Sequence, residues 1–291
     1  MKALCTFKDV SFQYPDGTIA LQKINITIET GQKIALIGHN GAGKSTFFQH
    51  MNGLLKPTAG QVYYEGQPIS YQQKGLTPIR RQVGIVFQDS ESQLFAGTVR
   101  QDLAFGPLNL GWEKAVIEEA IDRVAQRMSI NDLLDKPIHF LSGGQKKRVA
   151  IAGVLIMNPT MLILDEPTAG LDQYYQWQMM ELLKELHEEE RTIILSTHDM
   201  QLAYEWGESA IVMEKGQILF DGDADMLFSQ ADLMRSAHLT MPWVFDMAHV
   251  FKEKGLLQQD DYPRTREQLL SMLNCSQTID LHSAEDSYFD K

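Results

Sequence analysis

Residues 38–46, Gly38-His39-Asn40-Gly41-Ala42-Gly43-Lys44-Ser45-Thr46, restrict what this chain can fold into more than any other stretch. They match G-x-x-x-x-G-K-[ST] in the context that gives the pattern its purpose. Residues 34–37 before them read as a short buried strand. After them Phe47, Phe48, Met51, Leu54 and Leu55 recur at helical spacing, with Gly53 as a stop. The glycines let successive N–H groups curl around phosphate oxygens, and the following helix turns its positive end to the same anion. Lys44 adds a charge near the β- and γ-phosphates, and Ser45 offers a hydroxyl to Mg2+. The competing reading is a chance glycine turn, and the strand and helix on either side weigh against it.

The rest of the chain supplies the sheet that such a loop needs. Residues 7–12 and 24–29 alternate apolar and polar, with a Tyr14-Pro-Asp-Gly17 turn between them, and residues 61–64 and 68–71 read as further antiparallel strands. Residues 83–87, 161–164 and 192–196 are short apolar strands. Residues 112–128 place Ile117, Ala120, Ile121, Val124 and Met128 on one helical face, and residues 174–190 read as a helix. Strands alternating with helices predict an α/β fold with a parallel sheet. Residues 224–291 carry 11 acidic against 6 basic residues and no strongly β-like run, so a small helical tail is expected there, with residues 278–291 disordered.

Composition removes several function classes. With 26 Lys+Arg against 38 Asp+Glu the net charge is −12, which argues against broad nucleic-acid binding. The longest apolar run, residues 149–157, falls far short of the ~20 residues of a spanning helix. No signal-peptide core follows Met1, so a membrane role has to pass through a partner. The two cysteines, Cys5 and Cys275, exclude a disulfide scaffold and a Cys-based zinc site.

Other polar groups stand at strand ends. Residues 161–164 run into Asp165 and Glu166: the first suits a Mg2+ site, the second suits orienting or deprotonating a water. Gln88 follows residues 83–87, and His198 follows residues 192–196. A lone His or Gln at such a place is usually an ordinary loop residue. In open α/β sheets, however, ligands bind at the carboxyl ends of strands, and four strands here aim phosphate-reactive groups at one rim.

Leu141-Ser142-Gly143-Gly144-Gln145 opens a further helix, with Ser142 suited to cap it and to present N–H groups to an anion. At this point the chain resembles the ATP-binding-cassette (ABC) ATPases, whose signature sequence this stretch matches. Over roughly residues 4–223 the remaining motifs follow in the family's order. Tyr14 matches the aromatic that stacks on adenine, and Gln88 matches the Q-loop. Ala169-Gly-Leu-Asp172 matches the D-loop, and His198 matches the switch histidine.

The resemblance implies a three-part cassette over residues 1–223: a RecA-like phosphate-loop core, an antiparallel β subdomain near residues 1–30 and 60–72, and a helical subdomain near residues 90–158. Residues 224–291 would form a C-terminal helical extension at the ATPase–ATPase contact. It also implies ATP and Mg2+, with Ser45, Gln88 and Asp165 around the metal, and a nucleotide sandwiched between the phosphate loop of one subunit and Ser142–Gln145 of a second, identical or related.

Val86-Phe-Gln-Asp89, Gln93-Leu-Phe95 and Ala104-Phe-Gly-Pro107 are similar to the ATPases of energy-coupling-factor and cobalt/nickel-type importers. That likeness implies a peripheral subunit at the cytoplasmic face of a membrane, driving uptake of a vitamin or metal ion through integral membrane proteins. Ser90 stands where that group has proline. The apolar Leu94, Phe95 and Val99 are open between an exposed docking surface for the membrane partner and packing inside the helical subdomain. Trp243 and Phe245 are expected to pack onto the main domain. The alternative function is a soluble ABC-type ATPase acting on ribosomes or DNA; such proteins usually carry two cassettes or a long coiled coil, and this chain has neither.

Overall fold

The computed structural model describes residues 2–258 and 262–277. Two long strands come first, β1 (Ala3–Gln13) and β2 (Ile19–Glu29), followed by β3 (Lys33–Ile37) and helix α1 (Lys44–Met51). Next are β4 (Ala59–Tyr64), the two-residue β5 (Gln67–Pro68), α2 (Gln73–Gln82) and β6 (Val83–Val86). Helices α3 (Val99–Asn109), α4 (Lys114–Arg127) and α5 (Gly143–Leu155) lead to β7 (Met161–Asp165). Then come α6 (Gln173–Glu188), β8 (Thr192–Thr197), α7 (Met200–Trp206) and the hairpin of β9 (Ser209–Glu214) and β10 (Gln217–Asp223). The described chain closes with α8 (Ala224–Phe228), α9 (Ala231–Ser236), α10 (Trp243–Glu253) and α11 (Arg266–Gln277).

Two sheets organise these elements. One is antiparallel, in the order β2-β1-β4-β5; the other runs β10-β9-β3-β8-β7-β6, with parallel pairing from β9 to β6 and an antiparallel β10 at its edge. The central strands are apolar on both faces, as expected of a parallel sheet covered on two sides. In β3, Ile34 and Leu36 join the core beneath the antiparallel sheet, whereas Ala35 and Ile37 join the core beneath the helices. In β7, Met161 and Ile163 face the first core, and Leu162 and Leu164 the second; β8 divides Ile194 from Ile193 and Leu195 in the same way.

The predicted strands and helices are present, with differences at their edges. Helix α1 stops at Met51; Gly53 takes a left-handed turn (φ 69°), so Leu54 and Leu55 lie beyond the helix. The strand expected over residues 68–71 is only Gln67–Pro68, although Ile69 stays buried and donates its N–H to Val62 O. Helix α2 follows at once. It was not predicted; Ile79 is its one buried residue and Pro78 interrupts it. The β9–β10 hairpin was not predicted, although Lys215 and Gly216, both at positive φ, form the kind of two-residue turn that a Lys-Gly pair between apolar runs suggests.

Helix α8 begins directly after β10. Leu227, Phe228, Met234, Val244, Ala248 and Leu269 of the C-terminal helices belong to the same continuous core as the helical face of the parallel sheet. Phe245 packs there too, edge-on to Tyr204 with centroids 5.8 Å apart, but Trp243 is 47% exposed, contrary to expectation. The disorder expected over residues 278–291 lies outside the described residues. Among the described residues no helix is long and apolar enough to cross a membrane.

Candidate active site

A cleft lies at the carboxyl ends of β3, β6 and β7. Its lining comprises Tyr14, residues 18–20, residues 39–46, Gln88, Asp165 and Glu166, around a volume of about 280 Å³. Helix α1 starts at Gly43, whose φ of 104° only glycine adopts freely, and no side chain caps it. Its first N–H groups are therefore directed at the cleft without an internal partner. A Cβ on Gly43 would sit 2.6 Å from Ala20 O, and one on Gly38 would sit 2.5 Å from Met213 O, so the loop is held tightly against its neighbours.

Lys44 is buried. Its ammonium donates to the carbonyls of Gly38 and His39, folding the side chain along the loop. Burial pushes its pKa below the ordinary lysine value, opposed by the nearby Asp165 and Glu166 carboxylates. Ser45 Oγ donates to Asp165 Oδ2 at 3.1 Å, and Gln88 lines the same cleft. These three side chains offer only oxygen donors and the amide of Gln88, the hard set that Mg2+ accepts beside substrate phosphates and water. Among the described residues no cluster of three or more His, Cys, Asp or Glu is arranged for a metal.

Thr46 meets Tyr14, hydroxyl to hydroxyl at 2.9 Å, and the Tyr14 ring rests edge-on against Phe12. The loop thus contacts the aromatic that the resemblance assigns to the adenine. His39, which lines the cleft, also places its Nε2 3.0 Å from Ala237 O.

Glu166 is the most constrained residue of the site. Its φ of 49° is unusual for a residue other than glycine, and its N–H donates to Ser196 O. Its Oε1 accepts from the His198 N–H at 2.9 Å and meets His198 Nδ1 at 2.6 Å; Thr197 Oγ1 donates to Oε2 at 3.4 Å. An ionised carboxylate only accepts, which assigns the ring proton to Nδ1 and leaves Nε2 facing outward. The His198 side chain is 75% exposed while that of Glu166 is 8% exposed, so one end of the pair is fixed and the other is open to solvent.

Ser142–Gln145 and His198 do not line the cleft of their own chain. Ser142 and Gln145 form a full capping box at the start of α5: Gln145 N–H donates to Ser142 Oγ, and Ser142 N–H to Gln145 Oε1. Gly143 has open space where a Cβ would be. The Ser90 N–H donates to Gln88 O at 3.1 Å, a bond that proline at this position could not make. Of the apolar trio beyond it, Val99 is fully buried and Leu94 partly so. Phe95 is 63% exposed and stacks edge-on to the half-exposed Phe105 at 4.5 Å.

One site residue escaped the sequence reading. Lys147 is buried, and its Nζ is 2.6 Å from Glu166 O and 3.5 Å from both Gln88 O and Ala169 O. Burial pushes its pKa down, and the Glu166 and Asp165 carboxylates act in the opposite sense. A basic residue two places beyond Gln145 was visible in the sequence, but its direction inward was not.

Comparison with known proteins agrees with this geometry. The family model described as ABC transporter matches residues 21–169. An energy-coupling factor transporter ATP-binding protein of Methanocaldococcus jannaschii is 45% identical over 85% of this chain and 88% of its own length. A counterpart from Clostridium perfringens is 41% identical over 92% and 94%. Among solved structures, cbiO1 of Clostridium perfringens, part of the ABC transporter complex cbiONQ, superposes with a TM-score of 0.71 at 41% identity, covering 87% of this chain and all of that one. A dimeric ATP-binding cassette in a post-hydrolysis state with ADP and Pi gives 0.69 at 29% identity over 76% and 98%. A phosphate loop at the end of β3, carboxylates at the end of β7 and a capped signature helix, with these relatives, establish that the chain belongs to the ABC transporter ATP-binding proteins, is an ATPase, and resembles those of energy-coupling factor transporters.

Proposed function

We propose that this chain is the ATP-hydrolysing subunit of an energy-coupling-factor-type importer of a micronutrient, a vitamin or a cobalt or nickel ion, working at the cytoplasmic face of a membrane with integral transport proteins. The observation that carries the reading is the convergence on one rim of the phosphate loop, the Ser45–Asp165 pair, Gln88 and the Glu166–His198 pair. Relatives named as energy-coupling factor ATPases, and one described as part of cbiONQ, support the importer class.

In this reading residues 1–223 are the cassette, with the helical subdomain near 90–158, and residues 224–291 are an extension. Tyr14 stacks on the adenine. Residues 38–46 wrap the phosphates, with Lys44 swinging from the Gly38 and His39 carbonyls to the terminal phosphate oxygens. Ser45, Asp165 and Gln88 would hold Mg2+, which when bound supplies charge neutralisation at the triphosphate. Glu166 takes a proton from the attacking water, and His198 steadies the γ-phosphate as charge builds. Ser142, Gly143, Gly144 and Gln145 stand outside their own cleft, which supports their use by a second ATPase subunit facing this one, identical or related. The exposed Phe95, Phe105 and Leu108 support a docking surface for a helix of the membrane partner. The acidic charge favours no nucleic acid.

The test is affinity capture of the full chain from detergent-solubilised membranes, with identification of co-purifying integral proteins and Mg2+-dependent ATP hydrolysis measured on the complex. Recovery of integral transport proteins and a second ATPase subunit is expected. Quantitative recovery with ribosomes or DNA, with no integral protein, would overturn the importer reading.

A further inference from the structure

Lys147 sits at the first turns of α5, five residues beyond the cap Ser142, and points away from solvent. Its ammonium has three protons and faces three backbone carbonyls from two separate segments: Gln88 after β6, and Glu166 and Ala169 in the turn between β7 and α6. The contact to Glu166 O is short at 2.6 Å, and the other two are at 3.5 Å. Lys146, its neighbour, pairs with Glu91 at 3.1 Å in the turn that follows Gln88. Two adjacent lysines therefore tie the start of α5 to the segments beside the cleft. The carbonyl that Lys147 holds most closely belongs to the residue at φ 49°, whose carboxylate is already fixed by His198 and Thr197. A buried ammonium is retained at a net gain only where acceptors replace its water.

We propose that Lys147 is a positioning residue for ATP hydrolysis: it clamps the backbones of Gln88, Glu166 and Ala169 to the signature helix, so that the Glu166 carboxylate is aimed correctly and displacement of α5 is felt at both segments. The proposal rests on Glu166 having the role given above. Lys147 touches neither substrate nor reacting atoms; it acts through the peptide groups it holds.

The experiment compares Lys147→Met, which keeps length without donors, and Lys147→Gln, which keeps donors without charge, in the full chain. Measured are kcat and KM for Mg2+-ATP, the Kd of a fluorescent ATP analogue, the thermal transition, and hydrogen exchange over residues 88–92 and 166–170. Misplacement of a reacting group by about 1 Å costs roughly 100-fold in rate, so kcat of Lys147→Met is expected to fall about 30- to 100-fold with KM and Kd within about threefold. Lys147→Gln should recover at least about threefold of that loss, and exchange over both segments should quicken only in Lys147→Met by about tenfold or more. A wild-type kcat in Lys147→Met, or kcat and nucleotide affinity falling in parallel, would overturn the proposal. So would the absence of a cooperative thermal transition in both variants, which would make Lys147 a requirement of the fold. Glu166→Gln measured beside them separates the two readings: a full rate there removes the role of Glu166 itself, whereas a full rate in Lys147→Met alone removes only the clamp.

Discussion

Replacing Glu166 with glutamine isolates the charge of the proposed base from its geometry. The glutamine oxygen can occupy the place of Oε1, where it still accepts the His198 backbone N–H at 2.9 Å and the ring N–H at 2.6 Å. The glutamine NH2 falls beside Thr197 Oγ1, 3.4 Å from the present Oε2, and the hydroxyl can turn to accept. A charged acceptor becomes a neutral one, and the difference between such hydrogen bonds is about 1–2 kcal/mol of folding stability. The catalytic loss is larger. A general base contributes about 10²- to 10⁴-fold, or roughly 3–5 kcal/mol of barrier. The variant should therefore bind Mg2+-ATP, melt within a few degrees of the parent and release phosphate two to four decades more slowly in single-turnover assays. His198→Ala completes a cycle. Because the ring touches the carboxylate as well as serving the γ-phosphate, the double variant should lose clearly less rate than the product of the two single losses. Turnover within about threefold of wild type in Glu166→Gln would refute the base assignment, and rate losses that multiply in the double variant would refute the coupling.

Three further outcomes follow from particular contacts. Gly43→Ala places a methyl 2.6 Å from Ala20 O at a backbone angle that L-residues avoid, so a loss of about 1–3 kcal/mol in stability and weaker nucleotide binding by titration are expected. His50 is wholly buried, with Nδ1 2.7 Å from Thr46 O, and burial holds its pKa below 6.5. The unfolded chain thus takes up this proton first: the folded state keeps its full margin above pH 6.5 and loses it on acidification, by at most about 1.4 kcal/mol per pH unit. His50→Phe should flatten the pH 5–6.5 limb of a urea-unfolding series by up to one proton. Phe95→Glu with Phe105→Glu should leave basal ATP hydrolysis within about twofold while abolishing co-purification of integral membrane proteins, which pull-down and phosphate-release assays would check together.

The parts of this molecule that were legible in the sequence are those set by local chemistry. The loop of residues 38–46 needs glycines at fixed offsets, and Ser142–Gln145 forms its capping box within four residues. Strands β3, β7 and β8 are uninterrupted apolar runs because both of their faces are covered. What the sequence withheld depends on distance along the chain. Lys147 meets carbonyls 59, 19 and 22 positions away. Nothing in its helical neighbourhood marks it as different from the exposed lysines. The split between a buried Val99 and an exposed Phe95 likewise depends on which way the chain turns at Thr98, whose capping box starts α3. Helix α2 buries only Ile79 and carries Pro78 in its interior, so few of its residues mark it as a core-facing helix.

The alternation along β3, β7 and β8 makes one layer of main chain a party wall between two interiors. Neither interior has a wall of its own, so damage on either side loosens the support of the other. Heat should then melt cassette and C-terminal helices together, in a single calorimetric peak. The rim that carries the proposed site is the free edge of that shared wall, and its steadiness is set by packing on both sides at once.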